Sequence, residues 1–337
     1  MMFSWWVAAI SAIAVGAMGF AIQRGGTCTV AAVDEILSQR RAHRLSAMLE
    51  ASLWVAGGLA LAQLAHVAGS MPGGYGITLW TVGGGVLLGL GAWINGACVF
   101  GAIARLGSGQ WAQALTPVGF FFGCLAVTAA FAHAAASPSL SPSPLWSAAA
   151  WFGPIFALYV LWRVGPGLLN MLRGKGGVTR LATSVWSPHA ATIVIGTSFV
   201  ITLLLAGRWA YTDVLADLAR GMAAGGWTAL ALPLLLLAAL YAGAVLGGWT
   251  AGRWQHTVPT ARELLRAFCG GVLMGLGSLL VPGSNDGLIL IGIPLLRPYA
   301  WVAFGSMCLA IAAALMLQRA WERSRGTRGT AAAHHHS

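Results

Sequence analysis

Charge is what this 337-residue chain has least of: Asp, Glu, Lys and Arg make up 8% of it, against roughly 25% in a soluble globular domain. A chain this poor in charge and 58% hydrophobic cannot keep its bulk in water, so lipid must solvate it. It also lacks the phosphate-cradling pattern GxxxxGK followed by Ser or Thr, which leaves direct ATP coupling within this chain without support. The five cysteines include no CxxC pair, which speaks against a disulfide framework, a zinc pattern and the vicinal thiols of a membrane disulfide oxidoreductase. His66, His133, His189 and His256 are far apart and show no ligand spacing, so no metal site is expected. Nothing in the chain reads as a catalytic group or a cofactor site. A net charge of +11 would suggest nucleic acid in a soluble protein, but most basic residues here sit in short loops beside apolar runs, where they set orientation. No nucleic-acid partner is expected; membrane lipid is.

What the chain does have is glycine, organised as one stretch that occurs twice. GVLLGLGAWINGACVFG (Gly85 to Gly101) and GVLMGLGSLLVPGSNDG (Gly271 to Gly287) share seven of seventeen positions without a gap, at an offset of 186 residues. Each copy is an apolar run that should enter a membrane as a helix and break at a knot of small residues. The first knot is Gly96, Ala97 and Cys98; the second is Pro282, Gly283, Ser284, Asn285 and Asp286. Two further interruptions match each other: Arg24 lies four before Cys28, and Arg208 lies four before Thr212. Broken helices in corresponding places of two halves point to a transport site.

The expected fold is therefore an all-α polytopic membrane protein. Spans are expected over Phe3 to Ile22, Leu45 to Ala68, Ile77 to Leu106 with the first break, Ala112 to Ala135 and Leu145 to Leu169. Ala190 to Ala206, Trp227 to Gly247, the second broken helix and Tyr299 to Leu317 complete nine crossings. The domain reading is a first repeat over 1–135, a linking span and cytoplasmic loop over 136–186, a second repeat over 187–325, and a disordered tail with a tag remnant over 326–337. Basic groups at Arg40, Arg41, His43 and Arg44, at Arg173, Lys175 and Arg180, and at Arg319, Arg323, Arg325 and Arg328 all fall inside if the N-terminus is outside and the C-terminus cytoplasmic. One unpaired span between two four-span repeats makes the repeats inverted, with half-helices meeting at a central constriction.

Non-helical backbone at membrane depth is tolerated only where protein or a water-filled cavity satisfies it, so the breaks near Cys28, Cys98, Thr212 and Ser284 should meet around a pathway. Helices that start there present free N–H groups, which favour an anion. Gly96, Gly283 and Asn285 belong to the same knots. Arg24, Arg105 and Arg208 flank the breaks and would concentrate anions, or would snorkel to the headgroups. Gly85 and Gly89, and again Gly271 and Gly275, have the GxxxG spacing of helix packing. Free cysteine is usually a small buried hydrophobe, which is the expected role of Cys124, Cys269 and Cys308. Asn285 and Asp286 read as caps of the half-helix that follows, or Asp286 as a proton or cation partner.

At these residues the chain resembles the YeeE/YedE family of bacterial inner-membrane sulfur transporters. The likeness is carried by FAIQRGGTC around Cys28, GLGAWINGACVFGAIARLGSG around Cys98, and FCGGVLMGLGSLLVPGSNDG near the end. The resemblance implies an hourglass-shaped permease in the inner membrane, with thiosulfate passed at its narrow centre by three cysteines through transient S–H to sulfur hydrogen bonds. Two of those positions fall on Cys28 and Cys98, and the third on Ser284. The expected cargo is a small sulfur-containing anion, thiosulfate first, with a small cytoplasmic sulfurtransferase-like protein as a partner. The alternatives are a permease for another small anion, an anion sensor, and a sulfur-transfer module in which a persulfidated Cys28 or Cys98 hands sulfur to that partner.

Overall fold

The computed structural model describes residues 5–69, 71–130, 138–139, 142–172, 185–224, 231–281 and 283–333. Thirteen helices run through them: α1 (Trp5–Gly25), α2 (Thr29–Gln39), α3 (His43–Leu64), α4 (Leu79–Asn95), α5 (Val99–Gly107), α6 (Leu115–Ala130) and α7 (Pro144–Leu172). Then come α8 (Pro188–Ala206), α9 (Tyr211–Ala224), α10 (Ala231–Thr250), α11 (Ala261–Leu280), α12 (Asn285–Gly287, running on as a π-helical stretch Leu288–Gly292) and α13 (Pro298–Ala333). Nine helical stretches among the described residues are long and apolar enough to cross a membrane. Helix α13 runs well beyond the expected Leu317 and into the stretch read as a tail. Residues 137, 140 and 141 of the Ser/Pro linker, the loop with Arg173, Lys175 and Arg180, His133, Trp227 and Pro282 lie outside the described residues. Of that linker, Pro138–Ser139 pairs with Gly74–Tyr75 in a two-residue ladder.

The two repeated stretches fold as the sequence dictates. Thr78 starts α4 through a capping box with Thr81, and Gly96 ends it at φ +74°, a left-handed turn that a side chain would strain. Thr260 starts α11 through a capping box with Glu263, and past Val281 the chain turns at Gly283, φ +114°. In both cases an apolar helix is stopped within the protein, and a new one begins after three or four intervening residues.

Packing between the halves is reciprocal. Helix α4 lies on α13 as α11 lies on α6, α1 on α10 as α3 on α8, and α2 on α13 as α9 on α6. Gly85 and Gly89 meet the backbone carbonyls of Ala303 and Met307, while Gly271 and Gly275 meet those of Thr116 and Phe120, so both GxxxG pairs are packing surfaces. Along the seam between α4 and α11, Gly84 approaches Gly277 and Gly91 approaches Gly270. These two contacts run antiparallel, and each becomes the other under the 186-residue offset. Any side chain at these positions would push two backbones apart.

Helix α7 stands outside this scheme. It rests on α3, with Phe156 over Gly57 and against Trp54, and presents Trp151, Leu158, Leu161 and Trp162 outward, as a lipid-facing span would. Glu50 fastens it, accepting from Tyr159 Oη at 2.9 Å and pairing with Arg163 and with His189 of α8.

Candidate functional site

Four short helical segments begin at the breaks, and their first residues converge. Cys28 precedes α2, Cys98 precedes α5, Ala210 precedes α9 and Ser284 precedes α12, and Cys28, Cys98 and Ser284 have extended backbones. Cys28 Sγ lies against Gly101, in the first turn of α5 that Cys98 precedes. The backbone N–H of Thr29 donates to Cys98 Sγ at 3.1 Å, joining segments 69 residues apart. Thr29 Oγ1 donates to Asn285 Oδ1 at 3.2 Å, which brings in the second repeat. Across the same centre Asp286 accepts from Thr212: its Oδ2 takes the backbone N–H at 3.1 Å and its Oδ1 the hydroxyl. Gly101 is held without a side chain because Cys28 Sγ occupies the space a Cβ would need.

This centre is buried and polar at once. Cys98 and Asn285 are fully buried, Ser284 is 1% exposed, and Cys28 and Thr27 are 8% exposed. Three polar atoms there have no hydrogen-bond partner: Ser284 Oγ, Asn285 Nδ2 and Thr27 Oγ1. An unmade hydrogen bond in a buried place costs about 1–3 kcal/mol per group, a cost that a water or a ligand hydrogen-bonding there would offset.

Two chambers lead away from the centre, at opposite ends of the antiparallel α4–α11 pair. The first, about 150 Å³, is lined by Pro72, Gly73, Tyr75, Arg208, Asp213, Arg220, Gly283, Gly287, Ile291 and Tyr299. The second, about 610 Å³, reaches Asn95, Gly96 and Arg105 and is bordered by Gln113, Val258, Pro259 and Arg266. They are counterparts: Pro72, Gly73, Ile291 and Tyr299 of one stand 186 residues from Val258, Pro259, Arg105 and Gln113 of the other. Each ends on the knot of a different repeat, and each carries two arginines. In the first chamber Arg208 sits 3.9 Å from Asp213. In the second Arg266 donates to the carbonyl of Ile94 at 3.0 Å, and Glu263 is occupied in capping α11.

Of the residues singled out from the sequence, Cys28, Cys98, Ser284 and Asn285 come together with Thr212 one contact away. Gly96 and Gly283 shape the turns beneath them, and Arg105 and Arg208 line the two chambers. Arg24 is elsewhere. It is 1% exposed at the end of α1, stacks on Phe20 and donates to Thr250 Oγ1 at 2.8 Å. Sequence reasoning missed Thr27 and Thr29, although two hydroxyls flanking Cys28 in a helix break were the available signal. It also missed Arg266. Cys124 packs inside the α6–α11 contact against Gly275 and Ser278, Cys308 is half-buried, and Cys269 is exposed. Among the described residues no group of His, Cys, Asp and Glu could hold a metal.

Nine long apolar helical stretches among the described residues, several of them broken at a buried polar centre, define a multi-pass membrane protein. The family described as sulphur transport matches residues 24–313, and the chain belongs to it, the YeeE/YedE family of sulfur transporters. No curated protein matches the chain. Membership makes it a sulfur-compound transporter, and points away from an enzyme.

Proposed function

We propose that the chain is an inner-membrane permease taking up a small sulfur-containing anion, thiosulfate first, through the constriction formed by Cys28, Cys98 and Ser284. The observation that carries this reading is the set of unpartnered buried donors, Ser284 Oγ, Asn285 Nδ2 and Thr27 Oγ1, beside two thiols. An oxyanion accepts from hydroxyl and amide donors, while soft, polarisable sulfur on protein and cargo suits a relay of weak S–H contacts. Arg208 and Arg220 on one side, and Arg105 and Arg266 on the other, raise the local concentration of anions. Gly96, Gly283 and Thr212 hold the breaks in place.

The reciprocal packing and the antiparallel α4–α11 seam support two inverted repeats about this centre, with the chamber at Arg208 periplasmic and that at Arg105 cytoplasmic. The N-terminus is then outside and the C-terminus inside. A reporter fused after Arg325 should read as cytoplasmic and one in the 137–143 linker as external; both on one side would end the inverted reading. The transport test is uptake of labelled thiosulfate, sulfate and sulfite into proteoliposomes, in which thiosulfate should enter fastest. Mass spectrometry of the purified protein should show no +32 adduct on Cys28 or Cys98. Such an adduct without uptake would favour sulfur transfer instead.

A further inference from the structure

The two repeats differ most at one residue, Asp286. Its carboxylate is 2% exposed, and both oxygens are used as acceptors, one by the backbone N–H and one by the hydroxyl of Thr212. Among the described residues no Arg or Lys forms an ion pair with it. A carboxyl that accepts through both oxygens at the second residue of a 14-residue helix is placed as a carboxylate is at a helix start. The start of α9 is therefore already occupied by an anion that belongs to the protein.

In the first repeat the counterparts of Thr212 and Asp286 are Cys28 and Phe100. Among the described residues no Asp or Glu hydrogen-bonds to the start of α2 there. The Thr29 N–H goes to the thiol of Cys98, and Ser284 Oγ and Asn285 Nδ2 remain without partners on the facing side. The centre thus has one filled helix start and, across from it, two buried donors without partners, one of them on the Asn285 amide whose Oδ1 accepts from Thr29 of α2.

We propose that Asp286 is a specificity-determining residue of the permease, resting on the reading above: a tethered carboxylate that fills the start of α9, confines the cargo to the α2–α5 side, and repels a dianion more than a monoanion. Conduction needs a site that binds well enough to admit an ion and weakly enough to release it. Asp286 supplies the second condition. Its absence would let thiosulfate settle across the whole centre and leave slowly.

The test compares wild type with Asp286→Asn, which keeps shape and a hydrogen-bond acceptor but no charge, and with Asp286→Glu, which keeps the charge. Binding of thiosulfate and of thiocyanate, a monoanion, is measured by calorimetry on purified protein, and thiosulfate uptake in proteoliposomes gives KM and kcat. For Asp286→Asn the thiosulfate Kd should fall about tenfold and kcat should drop with KM, while the thiocyanate Kd falls only about threefold because repulsion scales with charge. Asp286→Glu should stay within about twofold of wild type for both anions. If Asp286→Asn does not fold, Asp286→Ser, a smaller neutral cap, carries the same expectation. A neutral variant with unchanged Kd, weaker thiosulfate binding, or equal shifts for both anions would overturn the proposal and reduce Asp286 to a helix cap. Wild type that neither binds nor moves thiosulfate would sink the permease reading and this proposal with it, whereas wild type that does both, with unchanged variants, sinks this proposal alone.

Discussion

The two breaks of the first repeat carry Cys28, Gly96 and Cys98 and the two of the second carry Thr212, Gly283, Ser284 and Asp286, so one backbone plan carries two chemistries. Around the first, the polar groups near the centre are two thiols, that of Cys98 accepting the Thr29 N–H, and the hydroxyls of Thr27 and Thr29. Around the second they are a hydroxyl, an amide and a carboxylate, two of them with atoms left unpartnered. The backbone is shared because both halves must solve the same problem, breaking a helix inside a membrane without stranding the carbonyls of the segment that ends or the N–H groups of the one that begins. The side chains are free to differ because an anion has to be handed on, and two identical binding faces would hold it equally from both sides.

Variants that erase the difference should show which face matters more. Removing Cys98 should have the largest effect: Cys98→Ala is expected to lower thiosulfate uptake at least tenfold, while melting stays within the range of an ordinary substitution, about 1 kcal/mol. Uptake at the wild-type rate would return Cys98 to packing. Next come the turns. Gly96→Ala and Gly283→Ala each place a side chain at positive φ, with an expected loss of about 1–2 kcal/mol by thermal unfolding in detergent; a stable Gly283→Ala protein would show that the second turn relaxes where the first does not. Ser284→Ala removes one donor and should reduce uptake about threefold to tenfold, whereas Ser284→Cys, which makes the halves alike, should maintain or raise it. Indifference to both changes would place Ser284 off the pathway. The smallest effect is expected from Cys308→Ala, half-buried and far from either break, with uptake within about twofold and stability changed by less than about 1 kcal/mol. Cys124→Ala should also leave uptake intact.

Much of this comparison was legible in the sequence because it rests on local signals. Apolar runs of span length, glycines four apart, and small-residue knots at equal offset identify the helices, their packing faces and their breaks without any long-range information. The helix ends were less secure. The final helix continues past Leu317 as charged residues that favour helix as well as solvent, and hydropathy alone stops counting there. What joins the breaks was not legible at all: the Thr29 contacts to Cys98 and Asn285 span 69 and 256 residues, and no periodicity encodes them. Arg24 shows the same limit from the other side. Its spacing matches Arg208, but a long side chain at a helix end turns toward whatever partner is nearest, here Phe20 and Thr250, and spacing does not say which.

The glycine seam between α4 and α11 behaves like the interface of an isologous dimer, in which each surface patch meets a copy of itself. In a true homodimer every substitution is made twice, so a serine in place of one central thiol would arrive at both copies together. Once both copies lie on one polypeptide, a change at position 284 leaves position 98 untouched. The seam then preserves the symmetry of the frame, through Gly84, Gly91, Gly270 and Gly277, while positions 98 and 284 are free to change separately.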